Sequence, residues 1–165
     1  NGLPEINYDH FDYVLILDVI EHLKDPENFL IELKKKLKNN LKAKVLISTP
    51  NIAFFIIRLM LLIGNFNYGS RGILDKTHTR LFTFSSFSNL VRQSDFSILK
   101  TYGVPAPFQL AVGSNFLSKF FEKLNILFIK LSKRLFSFQI FLEIKPNISL
   151  DKLLEQAETN AKDKI

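Results

Sequence analysis

The chain has 165 residues, of which 47% are hydrophobic and 23% charged, proportions that are typical of a single globular domain. Its formal net charge of +6 suits an anionic partner, but no strand carries the dense mixture of basic and aromatic residues that binds nucleic acid, so we expect no nucleic-acid partner. The chain contains no cysteine, which excludes disulfides and thiolate metal sites and is consistent with a cytoplasmic location.

The first part of the chain predicts a strand–helix–strand unit. Residues 11–20 are apolar without alternation, the pattern of a strand buried on both faces of a parallel sheet. Asp25 and Pro26 favour the start of a helix, which continues with apolar residues at helical spacing. A second apolar strand at 44–49 is halted by Pro50. We expect a right-handed crossover between two parallel strands.

The remaining elements alternate between helices, one long loop and strands. The most apolar segment, at 52–63, contains Arg58 and is too short to span a bilayer, so it predicts a buried or interfacial helix. The elements that follow are a long loop at 64–83, a helix capped by Thr83 or Ser85, a strand at 96–104, an amphipathic helical insertion at 106–135, a last strand at 138–144, and a polar helical tail at 148–165.

The insertion carries a broad apolar stripe with most of its basic residues beside it. The favoured interpretation is that the stripe covers the sheet or a partner subunit. The alternative is an interfacial helix on an anionic membrane surface, which would suit a substrate on a lipid carrier. The stripe consists of Leu117, Phe120, Phe121, Leu124, Leu127, Phe128 and Leu131.

Three segments, in this order, resemble a known enzyme family. They are "FDYVLILDVIEHLKDPENFL", "KVLISTPN" and "GILDKTHTRLFT". Together they resemble class I S-adenosylmethionine-dependent methyltransferases, and in particular the branch that includes the ubiquinone-pathway O-methyltransferases and the glycan-associated methyltransferases. The similarity runs from Phe11 to about Gly103 and resumes weakly at "RLFSFQIFLEIKP".

The resemblance implies an α/β fold with strands four to seven of a seven-stranded, mostly parallel, Rossmann-like sheet, in a domain spanning 1–147. In the family a glycine-rich turn after the first strand approaches the cofactor, as expected for a doubly wound sheet. No such turn precedes Phe11. We therefore expect a C-terminal part without the cofactor-binding half, inactive alone and a poor binder of S-adenosylmethionine.

The resemblance also implies roles for five residues. Leu17 and Asp18 would lie near the methionine portion of the cofactor, where its sulfonium charge favours an ionised carboxylate. Glu21 and His22 begin a turn that faces the acceptor, and the long loop would bring His78 over the cleft. A hydroxyl acceptor must lose a proton, and histidine is the side chain best suited to take it near neutral pH. The catalytic candidates are therefore His22, His78 and Glu21.

Each candidate has a structural alternative. Asp18 and Glu21 would be solvated residues at a strand-to-helix junction, His22 would only bond nearby backbone, and His78 would pair with Arg80 to anchor the loop. A magnesium or zinc site formed by Glu21, His22 and His78 is a weaker alternative, because these residues follow no fixed ligand spacing. The favoured interpretation therefore includes no metal.

The predicted function is methyl transfer from S-adenosylmethionine to a hydroxyl or amine of a small molecule, such as a sugar or a lipid-linked metabolite, by the full-length parent. The alternative is a non-catalytic binding or scaffold fragment. Such a fragment would form a homodimer through its exposed sheet edge or lie at the membrane surface as a peripheral protein.

Overall fold

The computed structural model describes residues 3–148, so the tail predicted at 148–165 lies outside the described residues except for its first one. The strands are β1 (Tyr13–Leu17), β2 (Lys44–Pro50), β3 (Phe96–Val104) and β4 (Gln139–Pro146). The helices are α1 (Pro26–Lys36), α2 (Phe55–Leu62), α3 (Phe84–Gln93), α4 (Phe108–Val112), α5 (Phe116–Leu131) and α6 (Lys133–Phe136). Short 3-10 helices occupy Tyr8–His10 and Ile20–His22.

The four strands form one mixed sheet in the order β1-β2-β4-β3. β1 and β2 are parallel, as predicted for the strand–helix–strand unit. β4 lies between β2 and β3 and runs antiparallel to both. The fold is therefore α/β, as the sequence predicts, with its parallel pairing in β1 and β2.

Local sequence explains the boundaries of α1 and α3. Asp25 caps α1 by accepting a hydrogen bond from the Asn28 backbone N–H at 2.9 Å, and Pro26 occupies the first turn. At α3, the Thr83 side chain accepts from the Ser86 N–H at 3.1 Å, while the Ser86 hydroxyl accepts from the Thr83 N–H at 2.9 Å. This reciprocal capping box selects Thr83 over Ser85 as the cap.

The main core lies where α1 and α3 pack on the sheet. It consists of Ile16, Ile20, Leu30, Leu33, Leu37, Val45, Ile47, Phe87, Leu90, Val91, Phe96, Ile140, Leu142 and Ile144, among others. A second, smaller cluster is formed by Phe54, Ile57, Ile73, Leu74 and Ala106. No helix within residues 3–148 is long and apolar enough to cross a membrane.

β1 is not buried on both faces, contrary to the sequence-based prediction. Ile16 is buried, but Tyr13, Leu15 and Leu17 are exposed, with Leu15 at 62%. These three side chains alternate with Val14 and Ile16, so they share the face of the sheet opposite the main core, and that face is left uncovered at β1 among the described residues. β1 is also an edge strand, which pairs with β2 alone in the described sheet. Residues typical of a buried strand thus lie at the open edge of the sheet.

Close packing of β3 against the helical segment after it depends on Gly103. A Cβ built on Gly103 would lie 1.8 Å from Ser137 Oγ and 2.9 Å from Ser137 Cβ. The hydroxyl can rotate away, but the Cβ moves only with the backbone, so we expect Gly103→Ala to lower the free energy of unfolding by about 1–3 kcal/mol. Urea unfolding measures this change. Gly69→Ala is the control, since its nearest atom would be 3.7 Å away, and equal stability of the two variants would contradict the prediction.

Candidate functional site

Asp18 directly follows β1 and is held in place by side chains of β2 and β4. Its backbone has φ of 53°, a left-handed conformation that is uncommon outside glycine. The Ser48 hydroxyl on β2 donates to Asp18 Oδ1 at 2.9 Å. The Gln139 side chain on β4 donates to both carboxylate oxygens at 2.7 Å. Asp18 is therefore exposed yet fixed, which a merely solvated junction residue would not be.

Gln139 was not a candidate in the sequence. It lies at this site because β4 is antiparallel to β2 and so begins at the edge where β1 and β2 end. No local signal marks it, since a glutamine at the start of a strand is ordinary. Its amide neutralises no charge, but it leaves the Asp18 carboxylate with a defined orientation.

The long loop is tied to the turn after β1 by hydrogen bonds to backbone oxygens. The Thr79 N–H donates to the Glu21 carbonyl at 2.8 Å, and the Arg80 N–H donates to the same oxygen at 3.1 Å. The Thr79 hydroxyl also donates to the Leu23 carbonyl at 2.7 Å. These bonds place His78 beside His22, with ring centroids 4.8 Å apart and planes at 69°.

Glu21, His22 and His78 form a cluster, here called the Glu–His–His cluster. One ligand atom of each residue lies within 4.8 Å of those of the other two. Glu21 is buried, His22 exposed and His78 half-buried, so the cluster extends from the interior to the surface. The structure thus brings together all three residues that the sequence suggests as catalytic.

Each histidine is held through one of its ring nitrogens. His22 Nδ1 lies 3.1 Å from the Thr77 carbonyl, and His78 Nδ1 lies 2.9 Å from the Ile73 carbonyl. A carbonyl oxygen only accepts hydrogen bonds, so in each neutral ring Nδ1 carries the proton. Nε2 then has a free lone pair, which can accept a proton or bind a metal ion.

Glu21 is a buried acid without a partner. It is 1% exposed, and neither carboxylate oxygen has a hydrogen-bond partner among the described residues. Burial raises the pKa of Glu21, and the nearby Asp18 charge adds to this. The backbone of Glu21 and the Thr49 hydroxyl approach the carboxylate without reaching ordinary hydrogen-bond geometry, and together with His78 they oppose the rise. Buried polar groups are nearly always paired, so this exception marks a functional candidate.

The alternative pairing of His78 with Arg80 is not what anchors the loop. Arg80 Nη1 donates to both Glu27 carboxylate oxygens at 2.6 Å, which links the loop to α1 and lowers the pKa of Glu27. Asp75 accepts from the Thr77 hydroxyl at 2.7 Å and from the Thr77 N–H at 2.8 Å, and these bonds lower its pKa. The ring of His78 is thus left facing His22.

The site divides into two chemical regions. Asp18 and the half-exposed Leu17 offer a carboxylate and an apolar surface at the end of β1. The Glu–His–His cluster offers one carboxylate and two imidazole nitrogens, a ligand set that suits zinc or another divalent cation. It also offers two imidazole Nε2 atoms that can act as general bases.

Comparison with known proteins gives one family match. A family model described as "Methyltransferase domain" matches residues 4–101, more than half of the chain. No match was found among curated proteins.

Several solved structures are similar at low sequence identity. The small RNA methyltransferase HEN1 shows 18% identity over 87% of this chain and 15% of its own, with a TM-score of 0.47. A SAM-dependent methyltransferase from Archaeoglobus fulgidus shows 22% identity over 84% of this chain and 60% of its own, with a TM-score of 0.45. A putative methyltransferase from Bacillus halodurans C-125 shows 14% identity over 88% of this chain and 74% of its own, with a TM-score of 0.47. The chain thus spans 15% and 60% of the first two of these proteins.

Proposed function

Because the chain belongs to the family described by the methyltransferase-domain model, we propose that it forms the acceptor-facing part of an S-adenosylmethionine-dependent methyltransferase. Its substrate is a hydroxyl or amine of a small molecule, such as a sugar or a lipid-linked metabolite. The observation that supports this most directly is the convergence of Glu21, His22 and His78 beside the end of β1.

The chemistry required of these residues is alignment and proton removal. When bound, S-adenosylmethionine would supply the methyl group to the acceptor oxygen or nitrogen, and its thioether would be the neutral leaving group. A hydroxyl acceptor gives its proton to Nε2 of His22 or His78, each of which is unprotonated in the neutral ring. Asp18 would hold a negative charge near the sulfonium of the bound cofactor, and Leu17 would pack against its apolar part.

The same cluster is equipped to hold a divalent cation. Two Nε2 atoms and a Glu21 oxygen supply three ligands, and the cation would give the buried Glu21 carboxylate the partner that it otherwise lacks. A bound cation would supply positive charge that lowers the pKa of an acceptor hydroxyl. This favours the alternative with a metal, which the spacing of the three residues along the chain had made the weaker one, because their ligand atoms lie within 4.8 Å of one another.

We further propose that the chain corresponds to strands four to seven of the family's larger sheet. The free edge of β1 supports this proposal. Tyr13, Leu15 and Leu17 on β1 are exposed, although such residues are typical of a buried strand. An open apolar groove of about 390 Å³ lies against β1. In the intact enzyme, the cofactor-binding half would cover this surface.

A scaffold role is the second candidate, and the same edge favours it. An unpaired strand with exposed apolar side chains is a template for pairing with a second copy. In that case β1 would pair with β1 of the second copy, and the Glu–His–His cluster would have no catalytic role. The two functions make opposite predictions for cofactor binding.

Calorimetric titration with S-adenosylhomocysteine separates them. We expect no binding to the 165-residue chain and clear binding to a chain extended at its N-terminus by a glycine-rich nucleotide-binding half. In the extended enzyme, His22→Ala and His78→Ala should slow methyl transfer, with about 10²–10⁴-fold loss for the residue that is the base, and leave this affinity unchanged. His10→Ala is the control. An extended chain that binds no cofactor, or full activity in both histidine variants, would contradict the proposal.

A further inference from the structure

Helix α5 is oriented with its polar side inward and its apolar side outward. Ser118 and Asn125 are buried, whereas Phe116 is 86% exposed and Leu131 is 80% exposed. The stripe, predicted from the sequence to cover the sheet or a partner subunit, does not cover the sheet and is largely exposed in the single chain. Soluble helices normally show the reverse, since burial of apolar side chains drives their packing.

Buried hydrogen bonds fix this orientation. Asn125 Oδ1 accepts from the Ala106 N–H at 2.9 Å, and Asn125 Nδ2 donates to the Phe136 carbonyl at 2.9 Å. Rotating α5 to bury its phenylalanines would leave both backbone groups without their partner, at a cost in stability. Specific buried hydrogen bonds therefore hold the apolar face of α5 outward.

The exposed face has the layout of an interfacial helix. Phe116, Phe120, Leu127 and Leu131 are spaced by four, seven and four positions, so they form one stripe about 22 Å long. Along one border of this stripe run three exposed lysines, Lys119, Lys123 and Lys130.

Charge identifies the kind of partner. Residues 113–137 contain five basic residues, Lys119, Lys123, Lys130, Lys133 and Arg134, and one acid, Glu122. A second copy of this face would present the same excess of positive charge, with too few carboxylates to neutralise it. A surface of anionic lipid head groups supplies both the apolar layer and the negative charge.

We infer that α5 docks on the surface of an anionic bilayer, with its phenylalanine and leucine stripe in the interfacial layer and its lysines against lipid phosphates. At 16 residues, α5 is too short to cross the bilayer and lies in its plane. This inference is independent of the proposed methyl transfer, because it rests on a different face of the molecule.

Vesicle flotation of the 165-residue chain tests the inference. The chain should float with vesicles of phosphatidylcholine mixed with phosphatidylglycerol, less with phosphatidylcholine alone, and less as salt increases. The chain contains no tryptophan, so Leu127→Trp adds a single reporter whose emission should shift to the blue on binding. A folded chain that fails to float with the anionic vesicles would overturn the inference.

Matched variants distinguish membrane binding through α5 from binding through other exposed apolar surfaces. Phe120→Ser with Leu127→Ser should abolish flotation, whereas Leu15→Ser, on the exposed side of β1, should not. Lys123→Gln with Lys130→Gln should weaken binding about fivefold per lysine, whereas Lys35→Gln with Lys42→Gln should change it little. Lysine variants that bind equally well would overturn the inference. A second result would also overturn the inference: the chain does not float, light scattering detects a dimer, and Phe120→Ser with Leu127→Ser dissociates that dimer. In that case α5 would be a protein interface.

Discussion

Replacing Glu21 with glutamine is expected to raise the free energy of unfolding by about 1–3 kcal/mol at neutral pH. The reason is that Glu21 is buried, and its carboxylate oxygens have no hydrogen-bond partner among residues 3–148. Glutamine keeps the shape and removes the charge, so the folded chain loses a desolvation penalty. Denaturant unfolding in the presence of a chelator measures the change without interference from metal ions.

The pH dependence of this gain identifies its cause. Burial raises the pKa of Glu21 in the folded chain. In acid, both folded and unfolded chains carry the proton, so the variant has no advantage. As pH rises through the ordinary glutamate pKa, the unfolded chain releases its proton first, and the wild type loses stability until the raised pKa is passed. The advantage of Glu21→Gln should grow across that window and then remain constant.

Glu27→Gln is a control for which we expect the opposite change in the free energy of unfolding. Its pKa is lowered by the hydrogen bonds from Arg80, so ionised Glu27 stabilises the folded chain. That stabilisation is present above the ordinary glutamate pKa and is lost as pH falls through the lowered one. Glu27→Gln should therefore be destabilising at neutral pH and nearly neutral in acid. If Glu21→Gln followed this second pattern, the Glu21 carboxylate would have a stabilising partner, and the argument for its functional role would fail.

Addition of a divalent cation is expected to stabilise the wild-type chain through the Glu–His–His cluster. At a concentration one hundred times the dissociation constant, one site that exists only in the folded state contributes about 2.7 kcal/mol. Thermal unfolding with zinc, manganese or magnesium measures the effect, and cobalt absorption reports the ligands directly. The effect should weaken in acid, because protons compete with the cation for its ligands.

Three variants define the cation site. His78→Ala and Glu21→Gln should each remove most of the stabilisation, since each deletes one of three ligands. His10→Ala is the matched control, because His10 is the chain's remaining histidine and lies outside the cluster. Equal stabilisation of His78→Ala and wild type would exclude a cation at this cluster, and the two histidines would then act only as proton acceptors.

Elements encoded by neighbouring residues could be predicted from the sequence. The cap at Asp25, the parallel pairing of β1 with β2 and the bounds of β3 follow from short-range patterns of polarity and from turn chemistry. The methyltransferase family was likewise predictable, because its motifs are short and ordered along the chain. The cluster residues were individually predictable for the same reason.

Their arrangement was decided by tertiary structure. His78 reaches His22 only because Thr79 and Arg80 bond the Glu21 carbonyl, and Gln139 reaches Asp18 only because β4 runs antiparallel. Such contacts join residues far apart in the chain, and no local pattern specifies which pairs will meet.

Burial also needed the three-dimensional structure. The sequence marks β1 and the stripe of α5 as apolar, but apolarity does not say what covers them. One face of β1 is left uncovered, and the apolar side of α5 is turned outward by two hydrogen bonds of Asn125. The sequence by itself thus determined the elements, the family and the candidate residues. Only the tertiary structure decided which side chains meet and which apolar faces stay open, because both depend on long-range packing and on buried hydrogen bonds.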